Sequence, residues 1–320
     1  MDRNKIDRLR NASFKIVGEN EHTAVKLCHW TKESIKTGEK SFCYKQKFYG
    51  IKSHRCLQMT PSLPFCNLCC QFCWRDVSLR NPEWEGNIDN PEEVIEKSIE
   101  AQRQLLSGLG GVAHSKKHLK EAYEPKHVAI SLDGEPTLYP KIGELIECFH
   151  KKGFTTFLVT NGTNPEKLEE LSKSNQLPTQ LYMSLSANSE KMFKEINKPL
   201  QENLWQKINK TLELFPRLKT RKVIRLTLIK NMNLKEPEEY ADLIRKASPD
   251  FVECKAAMAV GFAKFQERLK FEDMASHQEI KEFSIQLAKN LGYEVVDEKE
   301  DSRVVLSSKN INHYQKFPKL

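Results

Sequence analysis

The chain has 320 residues, of which 39% are hydrophobic and 29% are charged, and its formal net charge is +8. These values are typical of a globular protein with one large or two ordinary domains, and the sequence contains no internal repeat or low-complexity tract. No run approaches the roughly 20 apolar residues that cross a bilayer, and the N-terminal stretch MDRNKIDRLRNASFKI lacks the apolar segment of a signal peptide. We therefore expect a cytoplasmic protein with no membrane partner.

Short apolar runs alternate with helical patterns along most of the chain. Strands are predicted at RCLQMTPS, KHVAISL, FTTFLVT, QLYMSLS, KVIRLTLI and DFVECKA. Helices are predicted at NPEEVIEKSIEAQRQLL and SHQEIKEFSIQLAKNLG, and near 140–152, 164–174, 202–214 and 236–247. Strands that alternate with helices of about 10–15 residues form βαβ units and a parallel sheet. Six units are too few for a closed eight-stranded barrel, so we expect an α/β fold built as a partial (β/α)6 barrel.

The boundaries of this pattern predict three segments. An N-terminal extension covers 1–56, the partial barrel covers 57–262, and a C-terminal extension packed on the barrel covers 263–320. In such folds the chemistry lies on loops at the carboxyl ends of the strands. The segments FCNLCCQFCW, DGEP and TNG occupy such positions here.

The segment FCNLCCQFCW holds four of the nine cysteines and can be divided in two ways. Two abutting C-x-x-C pairs, Cys66/Cys69 and Cys70/Cys73, would indicate a zinc site. Zinc sites usually separate such pairs by about a dozen residues, and adjacent Cys69 and Cys70 leave no turn between them. The division Cys66-x3-Cys70-x2-Cys73 instead supplies three thiolates to a cubane cluster that normally takes four, which leaves one iron open to a ligand.

This second spacing, with Phe72 just before the last cysteine and five βα units after it, resembles the radical S-adenosylmethionine (SAM) superfamily. The resemblance implies that the open iron binds SAM and that an electron from the 4Fe–4S cluster cleaves it to a 5′-deoxyadenosyl radical. Gly134-Glu135-Pro136 follows the second strand, where the superfamily binds the SAM amino group. The alternative interpretation of this segment is an ordinary turn with a solvated glutamate. Further SAM contacts are implied at the ends of the next three strands, at Asn161, Ser184, Ser186 and Thr227.

Longer segments are similar to the archaeal tRNA 4-demethylwyosine synthases, from about His22 to the final PKL. They are HTAVKLCHW, CYKQKFYGIKSHRC, MTPSLPFCNLCCQFCW, EPKHVAISLDGEPTLYP, VGFAK and EDSRVVL. The resemblance implies that Cys28, Cys43 and Cys56 hold a second 4Fe–4S cluster and that Lys45 forms a Schiff base with pyruvate. Lys47 is the alternative, and either lysine would otherwise be a surface cation. The direction of the Lys45 pKa shift stays open, because burial and cations lower it whereas thiolates and cluster sulfides raise it.

The implied reaction joins pyruvate to the N1-methylguanosine that lies 3′ of the anticodon of tRNA-Phe. The adenosyl radical takes a hydrogen from the N-methyl group, and the carbon radical adds to the carbonyl carbon of pyruvate, which is held as an imine or bound at the second cluster. The carboxylate carbon is lost, transimination releases Lys45, and a third ring closes to give 4-demethylwyosine. Relatives carry an acidic residue where this chain has Ser186. Eukaryotic members carry a flavodoxin-like domain that we do not find, so we expect an external flavodoxin- or ferredoxin-type electron donor. We also expect a monomer.

Contact with an anticodon loop requires cations for phosphates and aromatic rings for bases. The basic runs HSKKHLK (114–120) and PRLKTRK (216–222) are candidates for phosphate contacts, and Trp30, Trp74 and Trp84 are candidates for stacking. Two other interpretations stay open. One is a different radical SAM enzyme, such as an activase or a methylthiotransferase, and the other is a zinc-stabilised RNA-binding module that would contain zinc rather than iron and labile sulfide.

Overall fold

The computed structural model of the chain describes residues 3–78 and 80–316. The strands within these ranges are β1 (Lys15–Val17), β2 (Thr23–Val25), β3 (Cys56–Thr60), β4 (His127–Ile130), β5 (Thr155–Thr160), β6 (Gln180–Ser184), β7 (Arg221–Leu228), β8 (Phe251–Ala256), β9 (Glu294–Lys299) and β10 (Val304–Ser308). The α-helices are α1 (Arg3–Asn11), α2 (His29–Thr37), α3 (Tyr44–Tyr49), α4 (Pro91–Ser107), α5 (Lys116–Ala122), α6 (Ile142–Lys151), α7 (Pro165–Lys173), α8 (Glu190–Asn197), α9 (Leu204–Leu214), α10 (Pro237–Ala247), α11 (Gly261–Phe265), α12 (His277–Leu291) and α13 (Ile311–Lys316). None of these helices is long and apolar enough to span a bilayer.

All the described strands belong to one sheet, in the order β1-β2-β3-β4-β5-β6-β7-β8-β10-β9. The six strands β3 to β8 are parallel, each paired with the next in the chain. This confirms the predicted α/β fold with six parallel strands. Antiparallel strands extend both edges, with β2 against β3 and β10 against β8.

The sequence explains the central strands and the helices that cover them. All four residues of β4 are buried, as expected for a strand covered on both faces in a parallel sheet. Helix α4 begins where the Asn90 side chain accepts a hydrogen bond from the Glu92 amide, with Pro91 at the first helical position. Its buried face includes Ile95 and Leu106, as predicted.

The two faces of the sheet carry different clusters, because side chains alternate along a strand. The outer face packs with most of the helices into the larger hydrophobic core. The inner face of β5 to β8 contributes a row of apolar side chains that receives the short helix α3. The members of this second cluster include Phe157, Tyr182, Val223 and Phe251 from the strands and Tyr44, Phe48 and Tyr49 from α3. We call this row the aromatic floor.

Three features differ from the sequence prediction. The first predicted strand is shorter than RCLQMTPS, because β3 ends at Thr60. The four antiparallel edge strands were not predicted, and neither were helix α8 and the shorter helices α1, α2, α3, α5, α11 and α13. Since β2 and β10 pair with barrel strands, both predicted extensions continue the barrel sheet, and the boundaries after 56 and after 262 stay predictions.

Candidate active site

The cysteine loop, residues 66–73, follows β3 and is held by segments distant in sequence. The Cys66 amide donates to the Asn81 carbonyl oxygen at 2.8 Å, and the Gln71 amide donates to that of Ile196 at 2.8 Å. The Arg268 guanidinium donates to four carbonyl oxygens of this region, those of Cys70 and Cys73 at 2.7 Å and those of residues 71 and 75 at 3.1 Å. Sequence reasoning missed Arg268, because only the fold brings it to the loop.

The thiols of the predicted triad Cys66, Cys70 and Cys73 lie among hydrogen-bond donors. Asn197 Nδ2 donates to Cys70 Sγ at 3.3 Å, and Arg80 Nη2 donates to Cys73 Sγ at 3.6 Å. Burial raises the pKa of Cys66 to about 12 and also raises the pKa of Cys70. The thiols of Cys66 and Cys70 therefore lose their protons when a metal ion displaces them, and three cysteines on one loop beside hydrogen-bond donors fit an iron cluster.

Cys69 is engaged elsewhere, which supports the three-cysteine division of the loop. Its Sγ lies 3.7 Å from the Val77 carbonyl oxygen. Within 3–78 and 80–316, no three His, Cys, Asp or Glu side chains converge as a single metal ion requires. A cubane cluster does not need such convergence, because each cysteine binds a different iron atom.

The segment Gly134-Glu135-Pro136 packs against the start of the cysteine loop. Gly134 has φ +72°, and a Cβ there would lie 2.3 Å from the Ser62 carbonyl oxygen, so only glycine fits. Glu135 is 2% exposed. Its carboxylate accepts from the Thr137 and Thr160 hydroxyls at 2.7 Å and from the Asn161 amide at 2.7 Å. Glu135 therefore joins the loops after β4 and β5 and is not a solvated turn residue.

The predicted SAM contacts after β5 and β6 share one small cleft beside the cysteine loop. Asn161, Ser184 and Ser186 line it together with Leu68 and Asn197. The Ser186 hydroxyl is buried and has no hydrogen-bond partner among the described residues. An orphaned hydroxyl in a cleft fits a polar ligand. The remaining predicted contacts lie apart from this cleft: Phe72 packs against the larger core, Pro136 begins a short 3-10 turn, and Thr227 pairs with Lys255 across β7 and β8.

The second predicted triad also assembles. Cys28 and Cys43 immediately precede α2 and α3, and Cys56 is the first residue of β3. Burial, and next the nearby Cys28, raise the pKa of Cys43 to about 11 and that of Cys56 to about 12. Cys28 therefore lies close enough to Cys43 and Cys56 to raise the pKa of both thiols.

Lys45 enters the barrel beside this triad. It is 8% exposed, and its Nζ lies 4.5 Å from the Tyr182 ring centroid and 4.8 Å from that of Phe157. Burial, and next the Arg225 guanidinium, lower the pKa of Lys45, which gives the direction that the sequence left open. The rival Lys47 is half-exposed, and its Nζ pairs with Asp297 at 2.8 Å.

A polar network above the aromatic floor was not predicted. Glu253 is fully buried and accepts from the Tyr49 hydroxyl at 2.7 Å, from Arg225 Nε at 2.9 Å and from the Tyr44 hydroxyl at 3.2 Å. Arg225 Nη2 in turn donates to the Tyr44 hydroxyl oxygen at 2.7 Å. The sequence signal that could have indicated this network is a charged residue within each of two buried parallel strands, Arg225 in β7 and Glu253 in β8.

The two predicted basic runs lie away from the cysteine loop. Residues 114–120 precede β4 and residues 216–222 lead into β7, so both lie at the amino ends of strands, whereas the cysteine loop follows a carboxyl end. His118 is buried and stacks on His54 at 4.1 Å, and Arg221 is buried. Trp84 packs beside Phe65 at 4.4 Å. The contact of these runs with RNA stays a prediction.

The fold and the cysteine loop together define a radical SAM enzyme. The model of the Radical SAM superfamily matches residues 60–244, and that of Wyosine base formation matches 246–309. The chain is 53% identical over 300 residues to the S-adenosyl-L-methionine-dependent tRNA 4-demethylwyosine synthase of Pyrococcus abyssi, covering 93% of this chain and 86% of that protein. The enzyme of the same name from Methanocaldococcus jannaschii is 43% identical over 93% of each chain.

Solved structures agree with these relatives. The chain is similar to TYW1 with a lysine-pyruvate adduct bound, with a TM-score of 0.85 and 40% identity over 98% of this chain and 99% of that one. It is also similar to archaeal TYW1, with a TM-score of 0.75 and 37% identity over 97% and 96% of the two chains. The chain therefore belongs to the tRNA 4-demethylwyosine synthase family, whose radical SAM chemistry uses SAM and a 4Fe–4S cluster.

Proposed function

We propose that this enzyme condenses the N1-methylguanosine of tRNA-Phe with pyruvate to form 4-demethylwyosine, and that Lys45 holds pyruvate as a Schiff base. The observation that carries the lysine assignment is the setting of its amine. Lys45 Nζ lies over two aromatic rings and has no hydrogen-bond acceptor in the described part of the chain. Its lowered pKa leaves more of the neutral amine that attacks a ketone. A lysine-pyruvate adduct is bound in the similar TYW1 structure.

For the radical chemistry, we assign Cys66, Cys70 and Cys73 as ligands of the 4Fe–4S cluster, which when bound supplies the electron for SAM cleavage. Arg80 and Asn197 orient the thiolates by donating hydrogen bonds to sulfur. We keep as part of this proposal the predicted SAM contacts at Phe72, Gly134, Glu135, Pro136, Asn161, Ser184, Ser186 and Thr227. The carboxylate of Glu135 acts mainly by fixing two of these loops. The electron donor is a separate flavodoxin or ferredoxin, and the enzyme acts as a monomer.

The second cluster is the part of the cofactor assignment that rests on Cys28, Cys43 and Cys56. Its test is iron and sulfide per chain after anaerobic reconstitution of the wild type and of a variant with these three cysteines changed to alanine. About eight irons should fall to about four. A control with Cys69→Ala and Cys148→Ala should keep about eight. About four irons in the wild type would remove the second cluster from the assignment.

For the tRNA, we propose an approach over residues 260–274, beside the cysteine loop. Phe265 is 82% exposed and Phe271 is 77% exposed, and Trp74 nearby is 40% exposed. The segment is joined to the loop, since the Phe262 amide donates to the Trp74 carbonyl oxygen at 3.1 Å. Exposed rings of this kind stack the unpaired bases of RNA loops, and this surface leads to the site from the side of the cysteine loop.

The experiment that tests the lysine assignment is borohydride trapping of pyruvate on the reconstituted enzyme, with the adduct located by peptide mass spectrometry. The wild type should be labelled at Lys45. The variant Lys45→Ala should lose the label and the tricyclic product while it still cleaves SAM. The control Lys47→Ala should keep the label and the product. Normal product from Lys45→Ala would refute the assignment.

A further inference from the structure

Two further cations occupy the inner face of the barrel near Lys45. Arg225 lies on β7 and Lys255 on β8, and the register pairs Arg225 with Glu253 and Thr227 with Lys255. The Arg225 guanidinium carbon lies 4.3 Å from the centroid of the Tyr182 ring, over which Lys45 also lies. Arg225 and Lys255 each lie 5.9 Å from the Tyr44 ring centroid. Two shared rings therefore connect Lys45, Arg225 and Lys255 on the inner face of the barrel.

The charges in this space do not balance. Glu253 is the only carboxylate that pairs with these cations in the described residues, and it is already bound by Arg225 and two tyrosines. Arg303 adds a further nearby cation, and its guanidinium donates to the Ala275 carbonyl oxygen. A buried excess of positive charge is unfavourable unless an anion accompanies it.

Both cations also keep hydrogen-bond donors that no group within 3–78 and 80–316 accepts. Arg225 donates from Nε to Glu253 and from Nη2 to Tyr44, and its Nη1 has no acceptor among residues 3–78 and 80–316. Lys255 Nζ donates one hydrogen bond, to the Ser302 carbonyl oxygen at 2.6 Å, whereas an ammonium group can donate three. The pair therefore offers a charged donor on each of two neighbouring strands.

We propose that Arg225 and Lys255 bind the carboxylate of the 2-oxo acid whose keto carbon is attacked by Lys45. This inference rests on the proposed role of Lys45. The neutral amine forms a bond to the keto carbon, and the keto oxygen leaves as water with the two amine protons, which gives the imine with no change in oxidation state. The two cations act on the carboxylate, so they select an acid over a neutral ketone and place its carbonyl at Lys45.

The test measures the concentration of ligand that gives half-maximal borohydride trapping on the reconstituted enzyme. Pyruvate is compared with hydroxyacetone, a neutral ketone of similar size. Lys255→Met should raise the half-maximal concentration of pyruvate by about tenfold to a hundredfold, as expected for loss of a charged hydrogen bond, and should leave that of hydroxyacetone unchanged. Arg225→Lys should act in the same direction. The control Lys222→Met, which removes a lysine from the same strand as Arg225, should change neither.

The outcomes separate this inference from the proposed function. An unchanged pyruvate concentration in Lys255→Met, or an equal rise for both ketones, would overturn carboxylate binding while the Lys45 adduct stands. A wild-type enzyme that traps no pyruvate at Lys45, or traps it at Lys255, would overturn the proposed role of Lys45 itself. Because Arg225 pairs with a buried carboxylate and its variant could unfold, Lys255→Met is decisive, with melting temperature and iron content matched to the wild type.

Discussion

Replacing Arg268 with methionine should loosen the cysteine loop without changing any proposed cluster ligand. The guanidinium donates four hydrogen bonds to backbone oxygens of residues 70–75, two of them at 2.7 Å. At about 1 kcal/mol for each bond, and with part of the loss recovered by water because the side chain is half-buried, the variant should lose about 3 kcal/mol of local stability. That loss corresponds to about a hundredfold increase in the population of the open loop.

Hydrogen exchange in the apo protein measures this population. The amides of Cys69 and Gln71, which donate to carbonyl oxygens of residues 196–198, should exchange about a hundredfold faster in Arg268→Met. Arg268→Lys should show a smaller increase, since an ammonium reaches fewer of the four oxygens. The control Lys264→Met, in the same segment, should match the wild type. Equal exchange in Arg268→Met and the wild type would refute the view that Arg268 fixes the loop.

Three further predictions concern other parts of the chain. Burial lowers the pKa of His127 to about 4 from an ordinary value near 6.5. As the pH falls, His127 therefore takes up a proton in the unfolded chain before it does so in the folded protein. The free energy of unfolding should be at its full value above about pH 6.5 and should fall by about 3 kcal/mol toward pH 4. Denaturant titrations at about pH 7.5 and about pH 4.5 should show a smaller fall in His127→Gln, and an identical fall would refute this assignment. Phe265→Ala should weaken tRNA binding about tenfold in a filter assay, through the loss of one stacked base, and should leave iron content unchanged; unaltered binding would move the tRNA surface elsewhere. Glu253→Gln should cost about 3–5 kcal/mol by leaving Arg225 buried without its counterion, and an unchanged melting temperature would contradict that pairing.

The parallel strands could be predicted because their local sequence matches their environment. The run His127–Ile130 is buried on both faces, so it reads as an uninterrupted apolar segment followed by turn residues. The cysteine loop could be placed at the carboxyl end of the sheet for the same reason. Helix ends were also predictable where the capping residues are local, as at Asn90 and Ser276.

The edge strands could not be predicted, because their pairing partners determine them. The strands Lys15–Val17 and Thr23–Val25 are three residues long, which is too short for a period of two to be recognised. Helix Glu190–Asn197 has an amphipathic pattern and a capping serine at Ser189, so its sequence does contain the local signals of a helix. The strand Val304–Ser308 depends on β8 for its pairing, and the strand Glu294–Lys299 depends in turn on Val304–Ser308.

The environment of Lys45 could not be predicted either. The groups that decide its pKa direction and its accessibility include Tyr182 and Arg225, which lie far from it in the chain. Sequence spacing placed Lys45 two residues after Cys43 but gave no reason to prefer it over Lys47. The preference follows from α3, whose buried face inserts Lys45 into the barrel and leaves Lys47 at the surface beside Asp297.

The sheet itself sets the spacing between the two thiol triads. Cys56 is the first residue of β3, and Cys66 follows six residues after the last, Thr60. A strand advances about 3.3 Å per residue, so β3 alone separates its two ends by about 13 Å. Arg225 and Lys255 lie on successive inward rows between the aromatic floor and the carboxyl ends of the strands. A 2-oxo acid held there would lie at a distance from the cysteine loop that strand register fixes, and a rigid sheet maintains such a distance better than flexible loops can.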